Sequence, residues 1–164
     1  MVVFNIFEGV GNPTEIRTFA TDVPGPADLA AHPNGDVYFA SFGSERSSDI
    51  PGFEPGQTVG RLTADGLVTT VASQAPSVAA LAIGPDGALY SANTGNPEQI
   101  TRFDLDAFFE GDPDPTSVYY DFEEMGVDGT GPNGENITGI VFDALGNLYA
   151  TELFEPVIFS IVDP

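Results

Sequence analysis

HPNGDVYFA, His32–Ala40, decides the fold. A turn on Asn34-Gly35 feeds a short apolar strand. Nearly the same phrase returns as GPDGALYSA at Gly84–Ala92 and as DALGNLYAT at Asp143–Thr151. Gly35, Gly87 and Gly146 mark equivalent turns, spaced 52 and 59 residues apart. Self-similarity on this scale is the signature of propeller or solenoid units. One copy would be a hairpin, whereas three copies with similar flanks are an architecture.

Working outward, each phrase has an apolar strand before it: ADLAAH at Ala27–His32, VAALAI at Val78–Ile83, TGIVFD at Thr138–Asp143. Asn-Gly, Asp-Gly and Gly-Asn tolerate the positive φ that two-residue hairpin turns require, so two-residue turns are expected. A third strand follows at Gly60–Thr63, Ile100–Leu105 and Val157–Val162. A fourth is expected at Leu67–Ala72 and Ser117–Phe122. Strands this short, rich in Val, Ile, Phe and Tyr and cut by Gly, Pro and Asp, predict an all-β fold of four-stranded antiparallel blades. With 14 prolines and 19 glycines, long helices have little room. The one helical candidate is Asp106–Glu110.

The whole chain, 1–164, reads as one β-propeller-like domain of about three blades. Residues 27–72 and 78–122 are complete blades, and 138–164 are the inner strands of another. Residues 1–22 hold VVFNIF and EIRTFA, which read as outer strands without inner ones. Propellers typically carry four to eight blades, so three cannot close a ring. Open blades leave unpaired strand edges, which invite association. The expectation is a homo-oligomer joined through its terminal strands, either a six-bladed dimer or a head-to-tail filament. A segment of a longer propeller is the other reading.

Composition narrows the partners. The net charge is −21, from 25 acids against four basic residues, all of them arginines. Nucleic acid is bound through Lys and Arg on phosphates, so this surface argues against nucleic acid. No apolar run approaches ~20 residues, so membrane insertion is not expected. Cysteine is absent, which removes disulfides and thiolate metal sites. An extracellular or periplasmic location is favoured, with no signal peptide in the sequence given.

The phrase GPDGALYSANTG followed by ITRFDLD resembles the inner blades of the gluconolactonase and senescence-marker-protein family, with its strictosidine-synthase-like and NHL-repeat relatives. The resemblance covers nearly the whole chain as blade grammar and is closest over Leu81–Asp106. It implies a central divalent cation, usually calcium, held by Glu, Asn and Asp at the top of the inner strands. Such a metal polarises a lactone or ester carbonyl. Carried over by position, the family's acid in the first strand corresponds to Asp28. Its Asp after the second strand corresponds to Ser41, Asn93 and Glu152 in successive units. The family's Asn falls near Ala79 and Thr138. The ligand set is therefore incomplete.

The remaining candidates come from the residues themselves. DGTGPNGEN, Asp128–Asn136, gathers Asp128, Asn133, Glu135 and Asn136 among glycines, and Glu135 and Asn136 are candidate Ca2+ ligands beside Asp28, Asn93 and Glu152. It lacks the acid spacing of an EF-hand. GDPDPT, Gly111–Thr116, reads as a surface turn, and His32 as a turn residue rather than a base. No nucleophile elbow or phosphate-binding Gly loop is present. Binding is expected on the face that carries the long loops. The leading function is a non-enzymatic, self-associating propeller module with a structural or ligand-binding role, its small-molecule or sugar ligand unspecified. The alternative is a calcium-dependent lactonase or esterase.

Overall fold

A computed structural model describes residues 2–3, 17–18, 26–41, 58–73, 78–93, 98–112, 114–122, 137–153 and 157–162. Blade 1 consists of β3 (Pro26–Ala31), β4 (Val37–Ser41), β5 (Thr58–Leu62) and β6 (Val68–Ser73), paired in that order. Blade 2 consists of β7 (Val78–Ile83), β8 (Leu89–Asn93), β9 (Gln99–Phe103) and β10 (Thr116–Asp121). Blade 3 has three described strands, β11 (Ile137–Phe142), β12 (Leu148–Glu152) and β13 (Ile158–Ile161). Every pairing is antiparallel. Near the N-terminus, β1 (Val2–Val3) pairs with β2 (Arg17–Thr18) as a separate two-stranded sheet.

The turn chemistry is the same in all three blades. The amide of Gly35 donates to the carbonyl of His32, and the His32 amide donates to the Asp36 carbonyl. Gly84–Ala88 and Asp143–Asn147 repeat both bonds. Gly35, Gly87 and Gly146 take φ of 96°, 79° and 91°. These are three-residue hairpin loops, a turn closed by the glycine and a bulge, rather than the two-residue turns expected from Asn-Gly and Asp-Gly. Thr63–Leu67 uses the same pattern between β5 and β6, with Gly66 at φ 89°.

The helical candidate is real and one residue longer, α1 over Leu105–Glu110. Asp104 caps it, its carboxylate accepting from the Ala107 amide at 3.0 Å, and Gly111 ends it in the left-handed region. Phe108 packs against the core, and Arg61 of blade 1 lies 4.6 Å from the centre of the Phe109 ring.

The core is two layers between blades. One joins Ala30, Tyr38 and Ala40 of blade 1 to Leu81 and Leu89 of blade 2. The other joins Ala80, Tyr90 and Ala92 of blade 2 to Ile137, Leu148 and Ala150 of blade 3. Alternation in β7 explains this: Leu81 points at blade 1 while Ala80 points at blade 3. Burying a side chain the size of Leu81 contributes about 1.5–3 kcal/mol.

Candidate functional site

At one end of the second strands, Ser41, Asn93 and Glu152 occupy the same place in three successive blades. Each pairs with the residue that opens its first strand: Pro26, Val78 and Ile137 respectively. A register shift follows at once in every case, between Pro26 and Asp28, Val78 and Ala80, and Ile137 and Gly139. Such bulges re-aim side chains at strand ends. All three residues are buried, although each carries a polar oxygen. Asn93 and Glu152 are the ligand candidates expected from the sequence. Ser41, the matching position of the first unit, belongs to the same row.

Asp28 does something else. One carboxylate oxygen accepts from the Leu29 amide at 2.8 Å, and the other accepts from the Leu81 amide of blade 2 at 2.7 Å. The acid expected to hold a metal joins two blades. Glu135 and Asn136 lie outside the described residues, as do most of the long loops on that face. In GDPDPT, Asp112 accepts from the Asp114 amide and Asp114 from the Thr116 hydroxyl, the local bonds of a turn. Among the described residues no three His, Cys, Asp or Glu side chains gather as a metal group.

The opposite end carries a cleft of about 280 Å3 between the turns of blades 1 and 2, with α1 at its edge. His32, Asp86, Arg102, Asp104 and Asp106 line it. Arg102 donates to Asp86 at 2.8 Å and to Asp104 at 3.4 Å. Burial works against the Asp86 carboxylate, but Arg102, the Ala88 amide and the Tyr90 hydroxyl outweigh it and hold its pKa below the ordinary carboxylate value. Burial and the neighbouring Asp86 charge push Tyr90 up to about 12. His32 Nδ1 accepts from the Asn34 amide and its Nε2 faces the Gly87 carbonyl, both at 3.2 Å. A neutral ring with its proton on Nε2 satisfies both bonds and leaves neither nitrogen to serve a nucleophile. The cleft therefore holds a cation paired with Asp86 and Asp104 and an imidazole engaged at both ring nitrogens.

These turns share one chemical device reached from different positions. Asp36, fifth in its turn, accepts from the Arg61 guanidinium at 2.7 and 2.6 Å. Asp86, third in its turn, accepts from Arg102 and Tyr90. Asp143, first in its turn, accepts from the Asn147 side chain and from Tyr149.

Neither a protein-family model nor a curated protein matches the sequence. Solved structures do. The chain superposes on one bearing the gluconolactonase name with a TM-score of 0.58 at 20% identity, covering 84% of this chain and 44% of that one. A luciferin-regenerating enzyme gives 0.60 at 20% identity, covering 82% and 41%. Virginiamycin B lyase from Staphylococcus aureus gives 0.53 at 19% identity, covering 83% and 37%. The fold is that of a β-propeller. The propeller section spans less than half the length of each of these three structures. At such identities the likeness carries fold and leaves activity to the site.

Proposed function

We propose that the chain works as a non-enzymatic propeller module, three blades of a ring completed by further blades, binding a divalent cation or small oxygen-rich ligand at the ring's mouth. The carrying observation is the row of Ser41, Asn93 and Glu152, three buried oxygen-bearing side chains at one strand end in consecutive blades. Hard oxygen donors suit calcium, which takes six to eight of them. The row offers a hydroxyl, an amide and a single carboxylate, too few for a complete shell. Asp28, the other described acid expected there, already accepts from two backbone amides, one on each oxygen.

The test is the thermal midpoint with and without millimolar calcium, for the parent chain and for Asn93→Ala/Glu152→Ala. A calcium-dependent rise that the double variant loses supports binding at this row. An equal rise in both, or none in either, sinks it.

A second reading, a calcium-dependent lactone or ester hydrolase, is favoured by Asn93 and Glu152, two oxygen-bearing side chains at matching positions in adjacent blades. Calcium-dependent turnover of a lactone panel, lost in the double variant, would promote it above the first.

A further inference from the structure

Tyr38, Tyr90 and Tyr149 are equivalent by register, paired with Ala30, Ala82 and Val141. Tyr90 donates its hydroxyl to Asp86 at 3.2 Å, and Tyr149 donates to Asp143 at 3.4 Å. Each acid belongs to the turn of the tyrosine's own blade. In blade 1 the turn acid, Asp36, is held instead by Arg61 and by the Asn34 side-chain amide. The Tyr38 hydroxyl is buried and has no hydrogen-bond partner among the described residues. A buried hydroxyl without a bond is uncommon and costly, so it calls for a physical reason.

The reason lies beside it. Tyr38 forms part of the wall of the 280 Å3 cleft between the turns of blades 1 and 2. At the next junction two rings crowd the matching tyrosine. Phe142 and Tyr119 meet Tyr90 edge-on, at centroid distances of 4.8 and 5.0 Å. Register puts Ile83 in the place of Phe142. It puts Val71, at the bulge of β6, in the place of Tyr119 at the bulge of β10. Two aromatic rings thus give way to two smaller aliphatic side chains at the junction that carries the cleft.

The lining selects the charge of an occupant. Asp86, Asp104 and Asp106 line the cleft against one cation, Arg102, which Asp86 and Asp104 already hold. The Asp106 side chain makes no hydrogen bond or ion pair among the described residues, and its charge acts on the Tyr38 hydroxyl. Leu105 and Phe109 supply apolar wall. No three His, Cys, Asp or Glu side chains gather as a metal group among the described residues. Separated acids suit a cation that brings its own N–H donors better than a metal that needs six or more oxygens around it.

We propose that this cleft binds a small primary ammonium ion, which donates to the Asp106 carboxylate and the Tyr38 hydroxyl and lays a short carbon chain on Leu105 and Phe109. The hydroxyl lies below the surface, so a compact ammonium head reaches it and a quaternary one does not. The net charge of −21 draws cations toward the molecule. Asp106 is exposed, so binding is weak and falls as salt rises. The cleft lies at the opposite end of the blades from Ser41, Asn93 and Glu152 and uses none of those residues.

The test is titration with n-butylammonium chloride, followed by two-dimensional amide NMR. The controls are n-butanol, tetramethylammonium chloride, sodium chloride and sodium acetate. Saturable shifts are expected at Gly35, Gly87 and Asp106 with n-butylammonium alone. Asp106→Asn and Tyr38→Phe are each expected to weaken binding roughly threefold or more, with unchanged circular dichroism. Asp106 is exposed and unbonded, so Asp106→Asn keeps the test open if Tyr38→Phe disturbs the core. Shifts that do not saturate, or that n-butanol or sodium chloride reproduces, overturn the proposal. Equal binding of tetramethylammonium overturns the role of the N–H donors. Saturation by acetate places an anion on Arg102 and overturns the assigned charge. Unchanged affinity in both variants puts the binding elsewhere, and loss in Asp106→Asn alone overturns the part given to the Tyr38 hydroxyl.

Discussion

The Asp28 carboxylate reaches across the first blade junction and accepts a hydrogen bond from the Leu81 backbone amide at 2.7 Å. Its other oxygen holds the amide of its own neighbour, Leu29. Asp28→Ala leaves the Leu81 amide unsatisfied in a partly buried place and is expected to cost about 1–3 kcal/mol. Asp28→Asn keeps one acceptor and is expected to retain part of that. Urea unfolding of both variants measures the difference, and equal loss in the two would show that charge rather than the Leu81 bond matters.

Tyr38, Tyr90 and Tyr149 hold equivalent places, yet their hydroxyls fare differently. Those of Tyr90 and Tyr149 donate to turn carboxylates, while the Tyr38 hydroxyl is buried with no partner among the described residues. Removing an orphaned hydroxyl returns its desolvation cost. Tyr38→Phe is expected to be neutral or to stabilise by up to about 1 kcal/mol, and Tyr90→Phe to destabilise by about 1 kcal/mol. Thermal midpoints that fall equally for both would contradict the assignment.

Gly60 exists to let Phe39 lie flat across β5. A Cβ there would overlap the Phe39 ring, which is buried. Gly60→Ala is expected to cost about 1–3 kcal/mol by overpacking. Phe39→Leu in the same chain should recover part of it, so the double variant will be less destabilised than the two losses added. Strict additivity in denaturant titrations would argue against the overlap.

Acid should unfold the protein from about pH 4 downward. Asp143 is held below its ordinary pKa first by the Asn147 side chain, and Asp104 by the Ala107 amide, while Arg102 leads the bonds that outweigh burial at Asp86. A depressed folded pKa gives stability that is present above the unfolded value of about 3.9 and lost as pH falls through the folded value. Asp143→Asn is expected to be less stable at pH 7 and to converge on the parent as pH falls through the lowered Asp143 value. At the alkaline end Tyr90, pushed to about 12, holds its proton more tightly when folded, so its contribution fades as pH climbs past about 10. Denaturant midpoints across pH read both ends.

Blade number and strand order were legible because the glycines at 35, 87 and 146 keep a fixed place relative to the apolar phrases. Turn type does not follow from the dipeptides, since Asn34-Gly35 suits a two-residue turn whereas the His32 amide bonds to the Asp36 carbonyl and makes the loop three residues long. The turn carboxylates were invisible as a set: Asp36, Asp86 and Asp143 sit fifth, third and first in their loops, so no alignment column unites them. Of the proposed ligands, Asn93 and Glu152 stand in the expected row, but nothing in the residues around Asp28 foretold its reach to another strand. That bond depends on a bulge in β3, a tertiary event without a local signature.

Because each blade carries its own turn bonds and meets its neighbours through one recurring junction, the blade behaves as an exchangeable cassette. A duplicate of residues 78–122, spliced between the second and third units with its following loop, would present Leu81 and Ala82 to surfaces already shaped for them. Lengthening of the array by whole-unit duplication thus requires no new packing solution, only that the added copy keep its glycine in step.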